Sequence, residues 1–135
     1  MQWKFYLDIS KNVVGDDESL LRLLSFIENQ EIAFERINLD HVKVERYQLN
    51  RLEFGVTMLG CLQRMYSLLS LDLRGWLFEG EEEIRILIEI LEESYNLEQI
   101  NLDFRQMELV CQYCKDNQIS QLARCYQLVS EQVNK

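Results

Sequence analysis

Apolar and polar residues alternate at the beginning of the chain. From Trp3 to Ile9 every second residue is large and apolar, and the charged residues Lys4 and Asp8 lie between them. A period of two places one set of side chains on each face of a β-strand. The pattern therefore predicts a first strand with an apolar face against a core. A shorter candidate strand runs from Leu69 to Leu73.

Two later stretches show the spacing of amphipathic helices instead. Acidic residues precede both stretches, at positions 16–18 and 81–83, where negative charge complements the positive end of a helix dipole. The chain contains no proline and five glycines, so few residues interrupt long helical segments. We therefore expect one helix to about Gln30 and another to about Tyr95. Their apolar stripes are Leu20, Leu23, Leu24 and Ile27 in the first helix and Ile84, Leu87, Ile88 and Leu91 in the second.

The second half of the chain resembles the first. Residues 21–40 and 84–103, which lie 63 positions apart, are identical at eight of twenty positions, and both stretches end in Ile-Asn-Leu-Asp. At nearly the same distance, residues 7–9 (Leu-Asp-Ile) match residues 71–73 (Leu-Asp-Leu). Such colinear matches indicate a tandem duplication.

The predicted units of this duplication are residues 1–70 and 71–135, within a single domain that spans residues 1–135. A period of this length in only two copies is atypical of open solenoid arrays. We therefore expect the two units to close on each other about a pseudo-twofold axis.

The shared Ile-Asn-Leu-Asp segments admit two interpretations. As helix starts, they place Asp40 and Asp103 at N-cap positions, each between apolar residues that form a hydrophobic staple. Each unit is then a strand followed by two helices, with a long helix to about Leu69 in the first unit, and the protein is predominantly α-helical in an α-rich α+β class. As strands, the segments would form a small α/β sheet domain, and an all-α bundle is a third alternative.

The charge of the chain narrows the choice of partners. Against 14 Lys and Arg residues there are 23 Asp and Glu residues, which gives a formal charge of −9. This charge disfavours direct binding to nucleic acid, which requires a basic surface, and it disfavours anionic membranes. The first eight residues lack the apolar stretch of a signal peptide, so we expect a cytoplasmic protein with reduced cysteines.

The acidic residues concentrate in one segment of the second unit. Between Glu79 and Glu98 eight glutamates face only Arg85. One hypothesis is a docking face for a protein partner, with a basic surface as one option, beside an apolar aromatic anchor. The alternative is a solvated helix that keeps the protein in solution, with the aromatic residues in the core. The candidate partner-binding residues are Trp76, Phe78, Glu79, Glu81, Glu82, Glu83, Glu89, Glu92 and Glu93.

Neither the cysteines nor the histidine identify a reactive site. Cys111 and Cys114 form a C-x-x-C pair, but their spacing places both thiols on the apolar stripe of a predicted helix, where cysteine commonly packs as a small hydrophobe. A metal site built from these two residues and Cys125 is the weaker alternative. His41, the only histidine, is predicted in the first turn of a helix after Asp40. We expect no metal, no cofactor and no catalytic residues.

These observations favour a small interaction module over an enzyme. The favoured function is that of an adaptor, an inhibitor or immunity-type protein, or a regulatory subunit that binds another protein, and a homodimer is compatible with it. An acidic mimic of nucleic acid, which would block a DNA- or RNA-binding protein, is one alternative. A small enzyme with an unrecognised pocket is the other, since the chain contains no familiar catalytic motif.

Overall fold

The structure of the protein, a computed structural model, describes residues 4–29, 33–94 and 96–119. Short strands and helices alternate along this part of the chain. In chain order the elements are β1 (Phe5–Asp8), β2 (Val13–Asp16), α1 (Asp17–Glu28), β3 (Phe34–Asn38), β4 (Lys43–Arg46), α2 (Arg51–Gln63), β5 (Ser70–Asp72), α3 (Glu81–Glu93), β6 (Gln99–Asn101) and α4 (Phe104–Asp116).

Four of the strands form a parallel sheet in the order in which they occur in the chain, β1-β3-β5-β6. In its central row Leu7 pairs with Ile37, Ile37 with Leu71, and Leu71 with Ile100. Strands β2 and β4 form a second, two-stranded parallel sheet. Each helix contacts the next helix in the chain, so strands and helices advance together in one direction. This arrangement is a short solenoid, in which each repeat packs mainly on its neighbours.

The four repeats begin at strands β1, β3, β5 and β6. The core of the solenoid is built from apolar residues that recur from one repeat to the next. In the second, third and fourth repeats they follow the spacing L-x-x-L-x-L, with Phe or Ile in place of some leucines. All of them are buried except Phe34, which is half-buried. The sets are Phe34, Ile37 and Leu39, then Leu68, Leu71 and Leu73, then Leu97, Ile100 and Leu102.

A left-handed turn follows the strand in each of the first three repeats. Its central residues are Lys11, His41 and Gly75, whose φ angles are 61°, 53° and 86°. The N–H of Lys11 donates to the carbonyl of Asp40 at 2.7 Å, and the N–H of His41 donates to the carbonyl of Arg74 at 2.8 Å. The turns therefore stack on one another and continue the backbone hydrogen bonding of the sheet beyond the strand ends.

The predicted α-rich fold class is wrong, because the protein is a mixed α/β structure with parallel sheets. The Ile-Asn parts of the two shared segments lie in β3 and β6, as in the α/β alternative. Asp40 caps no helix: it lies in a turn before β4, and the long helix expected after it is limited to α2. Asp103 does occupy the N-cap position of α4, although its side chain makes no capping hydrogen bond.

The pseudo-twofold relation between two strand-helix-helix units is also wrong. All four strands run in the same direction, and paired residues in the central row point to the same side of the sheet. Neighbouring repeats are therefore related by a displacement along the sheet. The similarity at 63 positions spans two repeats, since Ile37 and Ile100 are separated by the intervening strand of Leu71. Whether residues 1–70 and 71–135 arose by duplication stays a prediction.

The local predictions succeed at four elements. Strand β1 lies within the alternating stretch, and β5 lies within the weaker candidate at 69–73. The acid-led helices are α1 and α3, which begin at Asp17 and Glu81.

In the described ranges, no helix has both the length and the apolar character that a membrane crossing requires.

Candidate binding surface

The outward face of the four-stranded sheet carries polar side chains in two rows. Alternate residues of a strand point to opposite sides of a sheet, so the outward set flanks the buried central row. Tyr6 is 55% exposed, and Arg36 and Gln99 are also exposed, so solvent reaches this side of the sheet. We call this surface the sheet face. Its rows are Tyr6, Arg36, Ser70 and Gln99, and Asp8, Asn38, Asp72 and Asn101.

Arg74 and Asp72 form an ion pair at the centre of the sheet face. The guanidinium donates from Nε to Oδ1 of Asp72 at 3.0 Å and from Nη2 to Oδ2 at 2.6 Å, and Asn101 donates to Oδ2 at 3.1 Å. Burial opposes the ionisation of Asp72, but these hydrogen bonds outweigh it and hold the pKa of Asp72 below its ordinary value. The carboxylate is therefore a fixed negative charge at neutral pH.

Further acidic groups surround this pair where the strands end. Oδ2 of Asp40 lies 3.5 Å from Nη2 of Arg74, and Oδ1 of Asp40 contacts Nδ1 of His41. Asp103 accepts a hydrogen bond of 2.8 Å from the N–H of Gly75. His41 thus lies in a left-handed turn and not in the first turn of a helix, which corrects the sequence prediction. The carboxylates are held by donors of the protein itself, and in the described part of the chain no group of three or more candidate ligands is arranged to hold a metal ion.

An aromatic residue and an arginine lie together towards the β1 side of the sheet face. The guanidinium carbon of Arg36 is 5.3 Å from the centre of the Tyr6 ring, which is a cation–π contact. Tyrosine and arginine are among the residues that contribute most to protein interfaces. Sequence reasoning missed both residues as a site, although each one occupies a polar position in an alternating strand.

The aromatic residues that one hypothesis made a docking anchor lie in the core, where the alternative interpretation placed them. Trp76 and Phe78 are 3% and 2% exposed, and their rings stack with centroids 6.2 Å apart. The indole Nε1 of Trp76 donates to the carbonyl of Leu39 at 2.8 Å. The two residues follow Leu73 at the spacing at which buried Val42 and half-buried Val44 follow Leu39. They are therefore repeat positions of the solenoid and are not accessible to a partner.

The predicted acidic segment divides into exposed and buried groups. Of its glutamates, Glu89 and Glu92 are half-buried, and Glu89 accepts a hydrogen bond of 2.8 Å from the Gln63 side chain. One carboxylate oxygen of Glu92 is buried without a hydrogen-bond partner among the described residues. The exposed members are Glu79, Glu81, Glu82, Glu93 and Glu98. A docking role for these exposed glutamates stays a prediction.

Glu83 differs from the other glutamates of the acidic segment, because its side chain is buried between α2 and α3. A Cβ atom at Gly55 would lie 1.8 Å from Oε2 of Glu83, so only glycine leaves room for this carboxyl group. Oε1 accepts a hydrogen bond of 3.2 Å from the N–H of Gly80. Burial raises the pKa of Glu83 above its ordinary value, because desolvation penalises the charged form. A cavity of about 350 Å³ lies beside it, lined also by Arg51, Leu52, Leu77, Glu79 and Gly80.

The cysteine pair lies on α4, as the sequence predicts. Cys111 is half-buried and Cys114 is buried, while Cys125 lies outside the described residues. Burial raises the pKa of the Cys114 thiol, and the negative charge of Glu92 acts in the same direction. Cys114 is therefore protonated at neutral pH and packs as an apolar side chain. The metal site that would include Cys125 stays untested.

Together the fold and the sheet face define a class: a short solenoid of strand-and-helix repeats with one open, polar sheet surface. The L-x-x-L-x-L spacing and the single strand per repeat in the main sheet are similar to the pattern of leucine-rich repeats. The chain matches no protein-family model, no curated protein and no solved structure.

Proposed function

We propose that this protein is a non-enzymatic interaction module that binds a protein partner on its sheet face. The observation that carries the proposal is the exposure of the outward side of a parallel sheet, with Tyr6, Arg36 and Gln99 in one row. Parallel sheets are normally covered on both sides. A solenoid offers its sheet as an extended binding surface, and a partner would supply the missing cover.

The chemistry of the sheet face favours a partner with basic residues. Its acidic groups outnumber its arginines, and Arg74 is already paired with Asp72 and Asp40. The exposed carboxylate of Asp8 accepts hydrogen bonds from the hydroxyl and the N–H of Ser10, which lower the pKa of Asp8 and keep it charged. No cation among the described residues pairs with Asp8, so a lysine or arginine of the partner would meet this charge, while Tyr6 would provide apolar contact area.

The ionisation of Asp72 supports binding better than it supports catalysis. A general acid or base needs a pKa near the operating pH. The pKa of Asp72 is instead held low, and its oxygens are occupied by Arg74 and Asn101. The carboxylate therefore organises the surface and is not poised to transfer a proton.

The proposal is tested by site-specific photocross-linking. A photoreactive amino acid at Arg36 or at Gln99 should trap the same partner in a native extract, whereas the same amino acid at Arg85, an exposed position on α3, should not. Mass spectrometry identifies the trapped protein. Trapping from Arg85 alone would move the interface to the helix side and contradict the proposal.

An alanine substitution then measures the contribution of the sheet face. Arg36→Ala should weaken binding of the identified partner about tenfold or more, because it removes the cation–π contact with Tyr6 and the contact area of the guanidinium group. Arg85→Ala makes the same change outside the surface and should leave affinity within about threefold, since charges beyond a Debye length are largely screened. Equal effects of the two substitutions would argue against a specific sheet-face site.

A further inference from the structure

Strand β1 is an edge of the four-stranded sheet. Its only neighbouring strand in the described part of the chain is β3, so one side of Phe5–Asp8 has no strand against it there. An edge strand presents unpaired N–H and C=O groups that can accept another strand.

The first repeat is also less covered than the repeats behind it. Leu7 is half-buried, whereas Ile37 and Leu71, which occupy the same row in the next two strands, are 1% and 0% exposed. Val13, on the edge of the two-stranded sheet, is 58% exposed. The end repeats of a solenoid require either a polar cap or a covering partner. These side chains do not form a polar cap, so a cover is expected at this end.

The edge sequence Lys4-Phe5-Tyr6-Leu7-Asp8 is complementary to itself in the antiparallel direction. With two copies centred on Tyr6, each Lys4 lies opposite Asp8 of the other copy, and each Phe5 lies opposite Leu7. Directly opposed residues of antiparallel strands interact, and pairs of opposite charge or of apolar residues stabilise the pairing. A twofold axis through Tyr6 makes each of these contacts twice.

Other registers lose this match. A shift by one residue turns one strand's apolar side chains to the opposite face of the sheet. A shift by two residues in one direction places Lys4 opposite Tyr6 and leaves Asp8 without its cation. Only the register centred on Tyr6 pairs both charges and both apolar residues.

We propose that a second copy of this chain binds the β1 edge, so that the protein forms a twofold-symmetric dimer through antiparallel β1 strands. The two four-stranded sheets become one continuous sheet, and the half-buried Phe5 and Leu7 of each copy gain cover. Tyr6 lies on the dimer axis, with its ring on the sheet-face side. This inference concerns the edge of the sheet and does not rest on the sheet-face partner proposed above, although Tyr6 and Asp8 take part in both.

A charge exchange tests the register. Sedimentation equilibrium over a range of concentrations should show a dimer for the native sequence. Lys4→Asp and Asp8→Lys should each raise the dimer dissociation constant about tenfold, because each substitution replaces two opposed ion pairs by like charges. The double variant restores opposite charges and should return the constant to within about threefold of the native value. Lys115→Asp, an exposed charge reversal on α4, is the matched control and should leave it unchanged.

A covalent test does not depend on affinity. Opposed residues of antiparallel strands have Cα atoms about 4.5–5.5 Å apart, a distance that a disulfide can bridge. Tyr6→Cys should therefore form a disulfide-linked dimer under mild oxidation, and Gln99→Cys, on the same face but in β6, should not.

The outcomes that overturn the proposal are specific. A native protein that is monomeric at every concentration would contradict pairing through the β1 edge. A dimer that responds equally to Lys4→Asp and Lys115→Asp, or that the double variant fails to restore, would place the dimer contact elsewhere. Circular dichroism of each variant establishes that the fold is retained.

Discussion

The buried carboxylate of Asp17 accepts a hydrogen bond of 2.9 Å from the backbone N–H of Leu49, 32 positions further along the chain. The other carboxylate oxygen accepts from the N–H groups of Gln48 and Glu18, each at 2.9 Å. One side chain at the start of α1 thus accepts hydrogen bonds from two backbone N–H groups of the loop before α2. Burial opposes its ionisation, but the hydrogen bonds from these backbone amides hold the pKa of Asp17 below its ordinary value.

Replacing Asp17 should destabilise the junction between the first two repeats. In Asp17→Ala the N–H groups of Gln48 and Leu49 lose their acceptor, and unsatisfied buried donors oppose folding. We expect the melting temperature to fall by several degrees. Glu18→Ala, at the next position, removes an exposed pair with Arg22 and one negative charge in the first turn of α1, and should have a much smaller effect. Equal melting of the two variants would show that the Asp17 contacts do not stabilise the fold.

Gln106 takes the place of a strand partner in the third repeat. Its side-chain oxygen accepts from the N–H of Phe78 at 2.7 Å, and its amide nitrogen donates to the carbonyl of Phe78 at 3.1 Å. At the equivalent position in the first two repeats, Val14 and Val44 pair through β2 and β4. The buried Gln106 therefore supplies hydrogen bonds that a strand supplies elsewhere.

We accordingly expect Gln106→Ala to cost about 1–3 kcal/mol in the free energy of unfolding, because both backbone groups of Phe78 lose their partner. The matched control is Gln112→Ala on the same helix, where the exposed amide donates to Asp116 and the cost should be within about 0.5 kcal/mol. Urea unfolding of the two variants measures the difference. A near-neutral Gln106→Ala would mean that water replaces the amide in the folded protein.

The raised pKa of Glu83 predicts a pH dependence of stability. A carboxyl group whose pKa is higher in the folded than in the unfolded protein contributes stability that is fully present below its ordinary value of 4.5 and is lost as pH rises through the folded value. Glu83→Gln cannot ionise and keeps an oxygen acceptor for Gly80. Its stability relative to the native protein should therefore increase from pH 4 to neutral pH.

Urea unfolding across this pH range measures the difference between the two proteins. Glu81→Gln, an exposed change on the same helix turn, is the control and should show a smaller dependence. If the Glu83→Gln difference is constant with pH, the carboxyl group is solvated in the folded protein.

The left-handed turns predict that Gly75→Ala and Lys11→Gly, at equivalent positions, change the stability in opposite directions. Gly75 has a φ of 86°, and a Cβ there would lie 3.0 Å from the Cα of His41. Gly75→Ala should therefore cost about 1–2 kcal/mol, the usual penalty of a left-handed conformation for a residue with a Cβ. Lys11 adopts the same conformation with a φ of 61°, so Lys11→Gly should be neutral or stabilising. Chemical unfolding distinguishes the two signs, and a destabilising Lys11→Gly would contradict this equivalence.

The exposed glutamates of α3 give a test of electrostatic steering. Because Glu83 is buried, replacing it would also change the packing. The variant therefore combines Glu81→Gln with Glu82→Gln, which are both exposed. If these charges steer a basic partner, the double variant should lower the association rate at low salt and lose its effect at high salt, where charges are screened within about 8 Å or less. Stopped-flow or surface-plasmon measurements with the partner trapped on the sheet face supply the rates. Glu45→Gln with Glu53→Gln removes the same charge elsewhere; an equal effect would assign the change to net charge alone.

The sequence alone predicts those elements that are marked by a pattern within their own residues. The alternation from Trp3 to Ile9 contains β1, and the acids before α1 and α3 mark where those helices begin. The resemblance between residues 37–40 and 100–103 is equally real in the sequence. It reports positions two repeats apart, and the repeat between them differs enough in sequence to be overlooked.

The sequence could not decide the state of the short segments, because their hydrogen bonds are made with distant residues. Ile37 lies in a strand since it pairs on one side with β1 and on the other with β5. Viewed locally, the same four residues fit a helix start equally well, and Asp103 does precede a helix while Asp40 precedes β4. A strand of three to five residues is stable only when its neighbours supply its backbone partners.

Dependence on distant residues also explains why the site predicted from the sequence differs from the sheet face. Exposure of a side chain depends on which face of its element turns inward, and for Trp76 and Phe78 the solenoid spacing turns both rings into the core. Tyr6 and Arg36 are 30 positions apart in the chain and meet only because β1 and β3 pair in one register. Composition and local period determined the apolar core residues and the acidic charge of this protein, whereas strand pairing between distant residues decided which side chains form its surface.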